Sequence, residues 1–220
     1  MLHGYGSKKE SFYYQINFLS QNYRVTAVDF PAFGASEAPD GAWSVGDYAD
    51  WLEKFIKISG LEKPHILAHS FGARVAIKLL SQRPELCGRL IITGGAGIVK
   101  PRSPQYIRRV KRYRIAKKFF PRFAEKHFGS EEYKNLSPVM KESYKKIVNE
   151  DLKEFAKKIP NKTLLVYGKD DTVTPANEEG EIFSELIENS RLVTIDGGHF
   201  AFSEYPQNFN AIISQFLSET

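Results

Sequence analysis

The sequence of 220 residues contains few of the residues that build disulfides, metal centres and membrane spans. Its single cysteine, Cys87, excludes an internal disulfide, and we expect a small buried core residue at that position. So little cysteine suits a reducing compartment, which predicts a cytoplasmic location. No apolar run approaches the roughly 18 residues of a membrane span, and the first ten residues lack the apolar stretch of a signal peptide. No His, Cys or carboxylate cluster has ligand spacing, so we expect no metal and no cofactor.

Apolar residues make up 42% of the chain and aromatic residues 13%, which is enough for one globular domain with a substantial core. The net charge of +5 is unevenly distributed. Residues 101–162 carry 18 Lys and Arg against 7 Asp and Glu, whereas the rest of the chain carries 13 against 19. A basic segment on an acidic body indicates an insertion with a surface role of its own.

Outside that segment, helical and strand-like patterns alternate along the chain. Residues 8–20 predict a helix and residues 23–29 a buried strand. The next helix has Ser44 as its N-cap, Asp47 in the capping-box position and Gly60 at its end. Further strands are predicted at residues 65–69, 89–93, 163–168 and 191–196, and further helices at residues 71–82, 175–187 and 206–217. This alternation predicts the α/β class, with a mostly parallel, doubly wound sheet between helices.

The basic segment shows three helical patterns and no convincing strand. The patterns lie around Tyr113, Tyr144 and Phe155. We interpret residues 101–162 as a helical lid inserted into a core formed by residues 1–100 and 163–220. Such lids exclude water and shape the substrate pocket. Four aromatic residues of this lid either line an apolar pocket or, as is commoner, pack its helices: Tyr106, Tyr113, Phe119 and Phe120.

Ser70 lies in the stretch LAHSFGARV, between a predicted strand and a predicted helix. A nucleophile at a sharp strand-to-helix turn needs small residues two positions before and after it, and Ala68 and Gly72 meet that need. By itself the pattern is weak, since a serine after a strand is more often a helix cap. The neighbouring His69 is expected to point away from the nucleophile and to pack near the sheet.

Two later segments place an acid and a base after predicted strands. The stretch YGKDDTVTP contains Asp170 and Asp171, and IDGGHF contains His199. Catalytic groups of parallel sheets collect beyond the carboxyl ends of the strands. The chain order Ser70, Asp171, His199 is therefore that of a nucleophile, an acid and a base at one edge of a sheet.

In these motifs the chain resembles the α/β-hydrolase superfamily over nearly its whole length. LHGYG resembles the oxyanion loop of that family, DFPAFGAS the loop after its fourth strand, AHSFGA its nucleophile elbow, YGKDDTVTP its acid loop and GGHF its histidine loop. The resemblance implies that Ser70 is the nucleophile and His199 the base. It selects Asp171 as the acid over Asp170, because the acid falls three residues after the glycine that ends the strand.

The resemblance also implies an oxyanion hole made by the backbone NH groups of Tyr5 and Phe71. His3 is expected to shape the oxyanion loop rather than to transfer protons. In the family that loop follows an interior strand, yet here it begins at residue 2. We therefore expect a start upstream of Met1, or a sheet with an incomplete interior strand and a fraying loop. A weak or unstable esterase is then expected, which an upstream apolar strand would improve.

The resemblance implies hydrolysis of carboxylic esters through an acyl-enzyme intermediate. Haloalkane dehalogenases and epoxide hydrolases use an aspartate in place of this serine. Two alternatives stay open: a carbon–carbon bond hydrolase of the meta-cleavage product type, and a non-catalytic module that binds an anionic partner on the basic lid. For residues 108–118 a solvated helix face is the stronger interpretation, so we expect no nucleic-acid partner. The expected partner is a small-molecule ester with an anionic or aromatic group.

Overall fold

A computed structural model describes residues 1–99, 108 and 136–219. Within these residues the chain forms a four-stranded sheet in which every pairing is parallel. The strands lie side by side in the order β1 (Ile66–His69), β2 (Leu90–Thr93), β3 (Thr163–Gly168) and β4 (Ser190–Ile195). Four of the five strand predictions are confirmed, with ends that shift by at most a residue or so.

Helices connect and flank these strands. They are a 3₁₀ turn Lys9–Phe12, α1 (Tyr13–Leu19), α2 (Val45–Ile58), α3 (Phe71–Leu80), a 3₁₀ turn Pro84–Leu86, α4 (Pro138–Asn149), α5 (Lys153–Ala156), a π-helical turn Ala176–Gly180, α6 (Glu181–Leu186), α7 (Ala201–Glu204) and α8 (Pro206–Ser218). The predicted helices of the core are confirmed. The short α7 was not expected, because four residues are too few to show a helical period.

The start of α2 shows why local sequence predicts these helices well. Asp47 donates its backbone NH to Ser44 Oγ at 3.3 Å, and the Asp47 carboxylate accepts the NH of Ser44 at 2.7 Å. This reciprocal capping box stabilises a helix by about 1 kcal/mol. At the other end Gly60 takes φ +59°, which favours glycine.

The sheet has a hydrophobic core on each face because successive strand residues point to opposite sides. Ala68 and Ile92 belong to the core under α2 and α3. Leu67 and Ile91 belong to the core under α1 and α8. The predicted doubly wound architecture is therefore confirmed. Cys87 is fully buried as expected, and burial raises the pKa of its thiol to about 12.

Only part of the predicted lid falls within the described residues. The patterns around Tyr144 and Phe155 form α4 and α5, and no strand lies between residues 136 and 162. Arg74 of α3 donates to the carbonyls of Ile147 and Glu150 at 3.1 Å each, which attaches this end of the segment to the core. The pattern around Tyr113 lies outside the described residues, as do Tyr106, Phe119, Phe120 and most of residues 108–118. The boundaries at residues 101 and 162 stay a prediction.

The strand predicted at residues 23–29 is wrong. Only Val28 takes part in a ladder, as a single bridge to Leu2. Two hydrogen bonds join the segments: Met1 N donates to the Thr26 carbonyl at 2.7 Å, and Val28 N donates to the Met1 carbonyl at 3.3 Å. Apart from that bridge, residues 23–29 pair with no strand among the described residues.

Met1 and Leu2 occupy the interior position between Val28 and β1. Leu2 N donates to the Leu67 carbonyl at 2.8 Å, and His69 N donates to the Leu2 carbonyl at 2.9 Å. Leu2, where this loop begins, is therefore hydrogen-bonded to β1 through both its NH and its carbonyl, and the expected fraying of the loop stays a prediction. A largely apolar cavity of about 330 Å³ lies towards the amino end of β1, between residues 23–28 and 61–67.

Asp29 ties the first helical turn to the loop at residues 30–36. Its carboxylate accepts the backbone NH groups of Lys9 at 2.7 Å and Ala35 at 3.0 Å, and it pairs with Lys9 Nζ at 2.5 Å. Burial would raise the pKa of Asp29, but these hydrogen bonds and the lysine charge outweigh it and lower the pKa to about 2. Gly34, at φ +54°, passes so close that a Cβ there would meet the carboxylate.

We expect Asp29→Asn to lower the free energy of unfolding at pH 7 by about 1–3 kcal/mol, because charge-assisted hydrogen bonds are lost. A folded pKa below the unfolded value stabilises the protein above pH ~4, and this contribution is lost as the pH falls towards 2. Urea unfolding at pH 7, 4 and 2.5 should therefore show the gap between wild type and variant closing in acid. The exposed Asp50→Asn serves as the control. A gap that is absent at pH 7, or equal at all three pH values, would contradict this role.

Candidate active site

The turn between β1 and α3 presents Ser70 in a strained backbone conformation. Ser70 has φ +49° and ψ −105°, a region that residues other than glycine rarely adopt. Its NH donates to the Thr93 carbonyl at 3.2 Å, which fixes the turn beside the end of β2. The Ser70 hydroxyl does not cap α3, and it makes no hydrogen bond to another described residue. The helix-cap interpretation of this serine is therefore excluded.

Small residues are needed around this turn because another segment passes close to it. A Cβ at Gly72 would lie 2.3 Å from the Leu2 carbonyl oxygen and 2.9 Å from that of His3. Ala68 is fully buried and bridges to Leu2 on the same side. Positions 68 and 72 thus need small residues, as the sequence predicted, because the loop at residues 2–6 packs against the turn.

Asp171 accepts four hydrogen bonds in the loop after β3. Its Oδ1 accepts the NH groups of Val173 at 2.8 Å and Thr174 at 2.9 Å. Its Oδ2 accepts from Thr174 Oγ1 at 2.9 Å and from His199 Nδ1 at 2.8 Å. Asp171 is buried, whereas Asp170 is exposed to solvent. The structure therefore brings Asp171, and not Asp170, to the histidine.

These bonds determine the charge of the acid and the tautomer of the base. Burial would raise the pKa of Asp171, but hydrogen bonds from His199, Thr174 and Val173 stabilise the carboxylate and bring its pKa below the usual value. An ionised Asp171 only accepts hydrogen bonds, so His199 Nδ1 carries the proton in that contact. The Nε2 atom of His199 is then left as a proton acceptor.

His199 lies beside the serine turn, above the end of β2. A Cβ at Gly94 would lie 3.2 Å from His199 Nδ1, and Gly94 directly follows the Thr93 carbonyl that holds Ser70. The ring of His69, next to Ser70, is centred 4.7 Å from the ring of His199. The structure thus gathers the three predicted triad residues at the carboxyl edge of the sheet.

The two predicted oxyanion donors flank Ser70. Phe71 is the first residue of α3, so its NH has no partner within the helix. Tyr5 belongs to the loop at residues 2–6, where a Cβ at Gly4 would lie 3.5 Å from Ser70 Cβ. The rings of Tyr5 and Phe71 are centred 5.6 Å apart. Both backbone segments are therefore close to the serine.

His3 holds the oxyanion loop, as its position in the sequence predicted. Its Nδ1 lies 2.7 Å from the Gly4 carbonyl, and its Nε2 accepts the NH of Phe30 at 3.0 Å. Burial lowers the pKa of His3, so the ring stays neutral and bridges two loops.

Two residues at the site were missed or misplaced by sequence reasoning. Thr174 Oγ1 contacts both Asp171 and His199 Nδ1, the latter at 3.2 Å, and only its nearness to the acid could have signalled this. His69 is buried as expected, and its contact with the backbone of the histidine loop is what sequence reasoning missed. Its Nε2 lies 3.0 Å from the His199 carbonyl oxygen.

The described residues include neither a candidate metal site nor a candidate membrane-spanning helix. They contain no group of three or more His, Cys, Asp or Glu side chains that could hold a metal ion. None of their helices has the length and apolar character needed to cross a membrane.

Several of the known proteins that this chain resembles in sequence or fold are named as hydrolases or esterases. A 2-hydroxy-6-oxo-6-(2'-aminophenyl)hexa-2,4-dienoic acid hydrolase of Metapseudomonas resinovorans is 27% identical over 99% of this chain and 83% of its own length. A 2-hydroxymuconate semialdehyde hydrolase of Pseudomonas putida is 26% identical over 91% of this chain and 79% of its own. The solved structure of an esterase from Exiguobacterium antarcticum is 25% identical, with a TM-score of 0.78 over 100% of this chain and 91% of that one. A family model described as alpha/beta hydrolase fold matches residues 1–154, and the chain therefore belongs to the alpha/beta hydrolase fold family.

Proposed function

We propose that the protein is a serine hydrolase that cleaves carboxylic esters through an acyl-enzyme intermediate. The observation that carries this proposal is the hydrogen-bonded pair of Asp171 and His199, 2.8 Å apart, beside the strained turn that presents Ser70. A buried carboxylate that orients a histidine, so that the free ring nitrogen can accept the proton of a serine hydroxyl, is the arrangement that activates a nucleophile.

In the proposed reaction, Ser70 Oγ attacks the ester carbonyl carbon while His199 Nε2 takes the hydroxyl proton. The backbone NH groups of Phe71 and Tyr5 stabilise the oxyanion of the tetrahedral intermediate. As the intermediate collapses, His199 returns the proton to the departing alcohol and leaves an acyl-serine. His199 then removes a proton from water as the water attacks the acyl group. It returns that proton to Ser70 Oγ when the second tetrahedral intermediate collapses and the acid leaves. Asp171 stabilises the imidazolium in both steps.

Aromatic side chains next to the oxyanion loop support an apolar or aromatic substrate. The ring of Tyr5 is centred 4.9 Å from Phe33, 5.2 Å from Tyr144 and 5.6 Å from Phe71. On the side of the acid and base loops, Val173 and Phe200 are exposed. An anionic group on the substrate stays a prediction from the basic lid, most of which lies outside the described residues.

A second candidate function is hydrolysis of a carbon–carbon bond. It is favoured by the two relatives described above, which act on meta-cleavage products and match over nearly the whole chain. Comparing kcat/KM for p-nitrophenyl butyrate and for a 2-hydroxy-6-oxohexa-2,4-dienoate separates the two candidates. We expect the ester to be the better substrate, and a large preference for the dienoate would reverse the choice.

The third candidate, a non-catalytic module that binds an anionic partner, predicts no covalent chemistry at the serine. A fluorophosphonate probe should label Ser70 of a catalyst and leave a binding module unlabelled. We also propose a cytoplasmic location for the serine hydrolase, which the single cysteine favours.

We expect Ser70→Ala to lower ester turnover by at least about 10⁴-fold, because the nucleophile is removed. The free energy of unfolding should change by less than about 1 kcal/mol, since the hydroxyl makes no hydrogen bond to another described residue. Steady-state assay, probe labelling and urea unfolding of the same preparations check both parts. Unchanged turnover in a folded variant would contradict the mechanism.

We expect Asp171→Asn to lower kcat by about 10³- to 10⁴-fold, because an amide at this position favours the wrong imidazole tautomer. Asp170→Asn is the matched control, since that side chain is exposed and one residue away, and it should change kcat by less than about 3-fold. The assay is ester hydrolysis at saturating substrate. If the control were the more damaging change, the acid would be misassigned.

We expect Thr174→Val to lower kcat by about 5- to 30-fold, the cost of one hydrogen bond to a carboxylate. Valine keeps the shape of threonine but cannot donate to Asp171. Thr174→Ser retains the hydroxyl and should recover most of the rate. Equal rates in the two variants would show that the hydroxyl does not act on the pair.

A further inference from the structure

His69 lies buried between the nucleophile and the loop that carries the base. It is 1% exposed, and its Nε2 lies 3.0 Å from the backbone carbonyl oxygen of His199. Its ring is centred 4.7 Å from the ring of His199, 5.0 Å from Phe200 and 4.8 Å from Phe202. The side chain of His69 therefore contacts both the backbone and the side chains of the histidine loop.

The carbonyl contact determines the tautomer of His69. A carbonyl oxygen only accepts, so Nε2 carries the proton and donates it to His199. The Nδ1 atom is then an acceptor, and it has no hydrogen-bond partner among the described residues. It packs against Gly4, where a Cβ would lie 2.8 Å away. Burial, together with the nearby His199, lowers the pKa of His69 to about 3, so the ring is neutral at physiological pH.

We propose that His69 is a positioning residue for the reaction proposed above: its Nε2–H donates to the His199 carbonyl and holds the histidine loop against the serine turn. This inference rests on the proposed function, and it assigns His69 no proton transfer to the substrate. His69 directly precedes Ser70 at the end of β1, so one strand end carries both the nucleophile and the donor that holds the base.

This contact complements the bond from His199 to Asp171. Asp171 binds the imidazole at Nδ1 and sets the direction of the ring. His69 binds the backbone of the same residue and sets the distance of the ring from the serine turn. With both its ring and its backbone fixed, the base is already positioned for the serine hydroxyl, and the histidine loop need not rearrange before the reaction. A misplacement of about 1 Å at such a site can cost 100-fold in rate.

Three substitutions separate the hydrogen bond from simple filling of space. In His69→Gln the amide nitrogen falls near the position of Nε2 and retains the donor. In His69→Asn it falls near Nδ1, on the side of Gly4, and cannot reach the carbonyl. His69→Leu fills similar volume with no donor. His65 is exposed, directly precedes β1 at the end remote from Ser70, and accepts the NH of Arg89, so His65→Leu is the control for loss of a histidine and its hydrogen bond outside the site.

We expect Leu and Asn at position 69 to lower kcat for p-nitrophenyl butyrate by about 10- to 100-fold, with KM changed less than about 3-fold. His69→Gln should recover kcat to within about 5-fold of wild type, and the His65 control should match wild type. Melting temperatures separate a positioning role of His69 from a merely structural one. If the residue were only structural, the loss of kcat would follow the loss of stability, whether or not the variant keeps a donor near Nε2. A Gln variant no faster than the Leu variant would overturn the proposal.

The tautomer gives a readout that does not depend on turnover. In ¹⁵N-histidine NMR spectra of the whole protein, His69 should stay neutral with its proton on Nε2 from pH 8 to pH 5. A protonated Nδ1, or a ring that titrates near pH 6.5, would overturn the proposal whatever the activity. Failure of the fluorophosphonate probe to label the wild type would overturn the proposed function and the positioning role with it. Labelled wild type with no rescue by Gln would overturn the positioning role alone.

Discussion

The hydrogen bond from the NH of His69 to the carbonyl of Leu2 is the contact on which the arrangement of the site depends. It joins the end of β1 to the start of the oxyanion loop at 2.9 Å. The same carbonyl lies where a Cβ of residue 72 would be, so the first turn of α3 must carry glycine. Loop, strand end and helix start are thereby pressed together around Ser70. A bulkier contact at any of the three would separate the oxyanion loop from the serine turn.

The charges around the serine follow from burial and hydrogen bonding. Asp171 is ionised because four hydrogen bonds outweigh its burial. His3 and His69 are nearby and buried, and burial keeps both rings neutral. The Asp171 carboxylate is thus paired with a single histidine, His199. In the proposed mechanism, neutral imidazoles around that pair would not compete with His199 for the serine proton.

Much of the fold and the candidate site could be predicted because the relevant signals are local. The capping box of α2 and the alternation of strands and helices need only neighbouring residues. The triad residues each follow a strand, and parallel strands bring their carboxyl ends to one edge. Residues 23–29 show the limit of this reasoning. Their composition suits a strand, but a strand also needs backbone pairing along its length, and among the described residues only Val28 is paired, through its bridge to Leu2.

The sequence by itself determined the class of the fold and the order of most elements, and it proposed Ser70, Asp171 and His199 as the candidate triad, since residue type and spacing carry that information. Only the tertiary structure decided that Thr174 contacts both Asp171 and His199, and that His69 contacts the backbone of the histidine loop. These contacts join segments that are far apart in the chain, or they depend on the direction in which a side chain leaves a strained turn. No periodicity encodes such directions, because they result from packing between segments that meet only after folding.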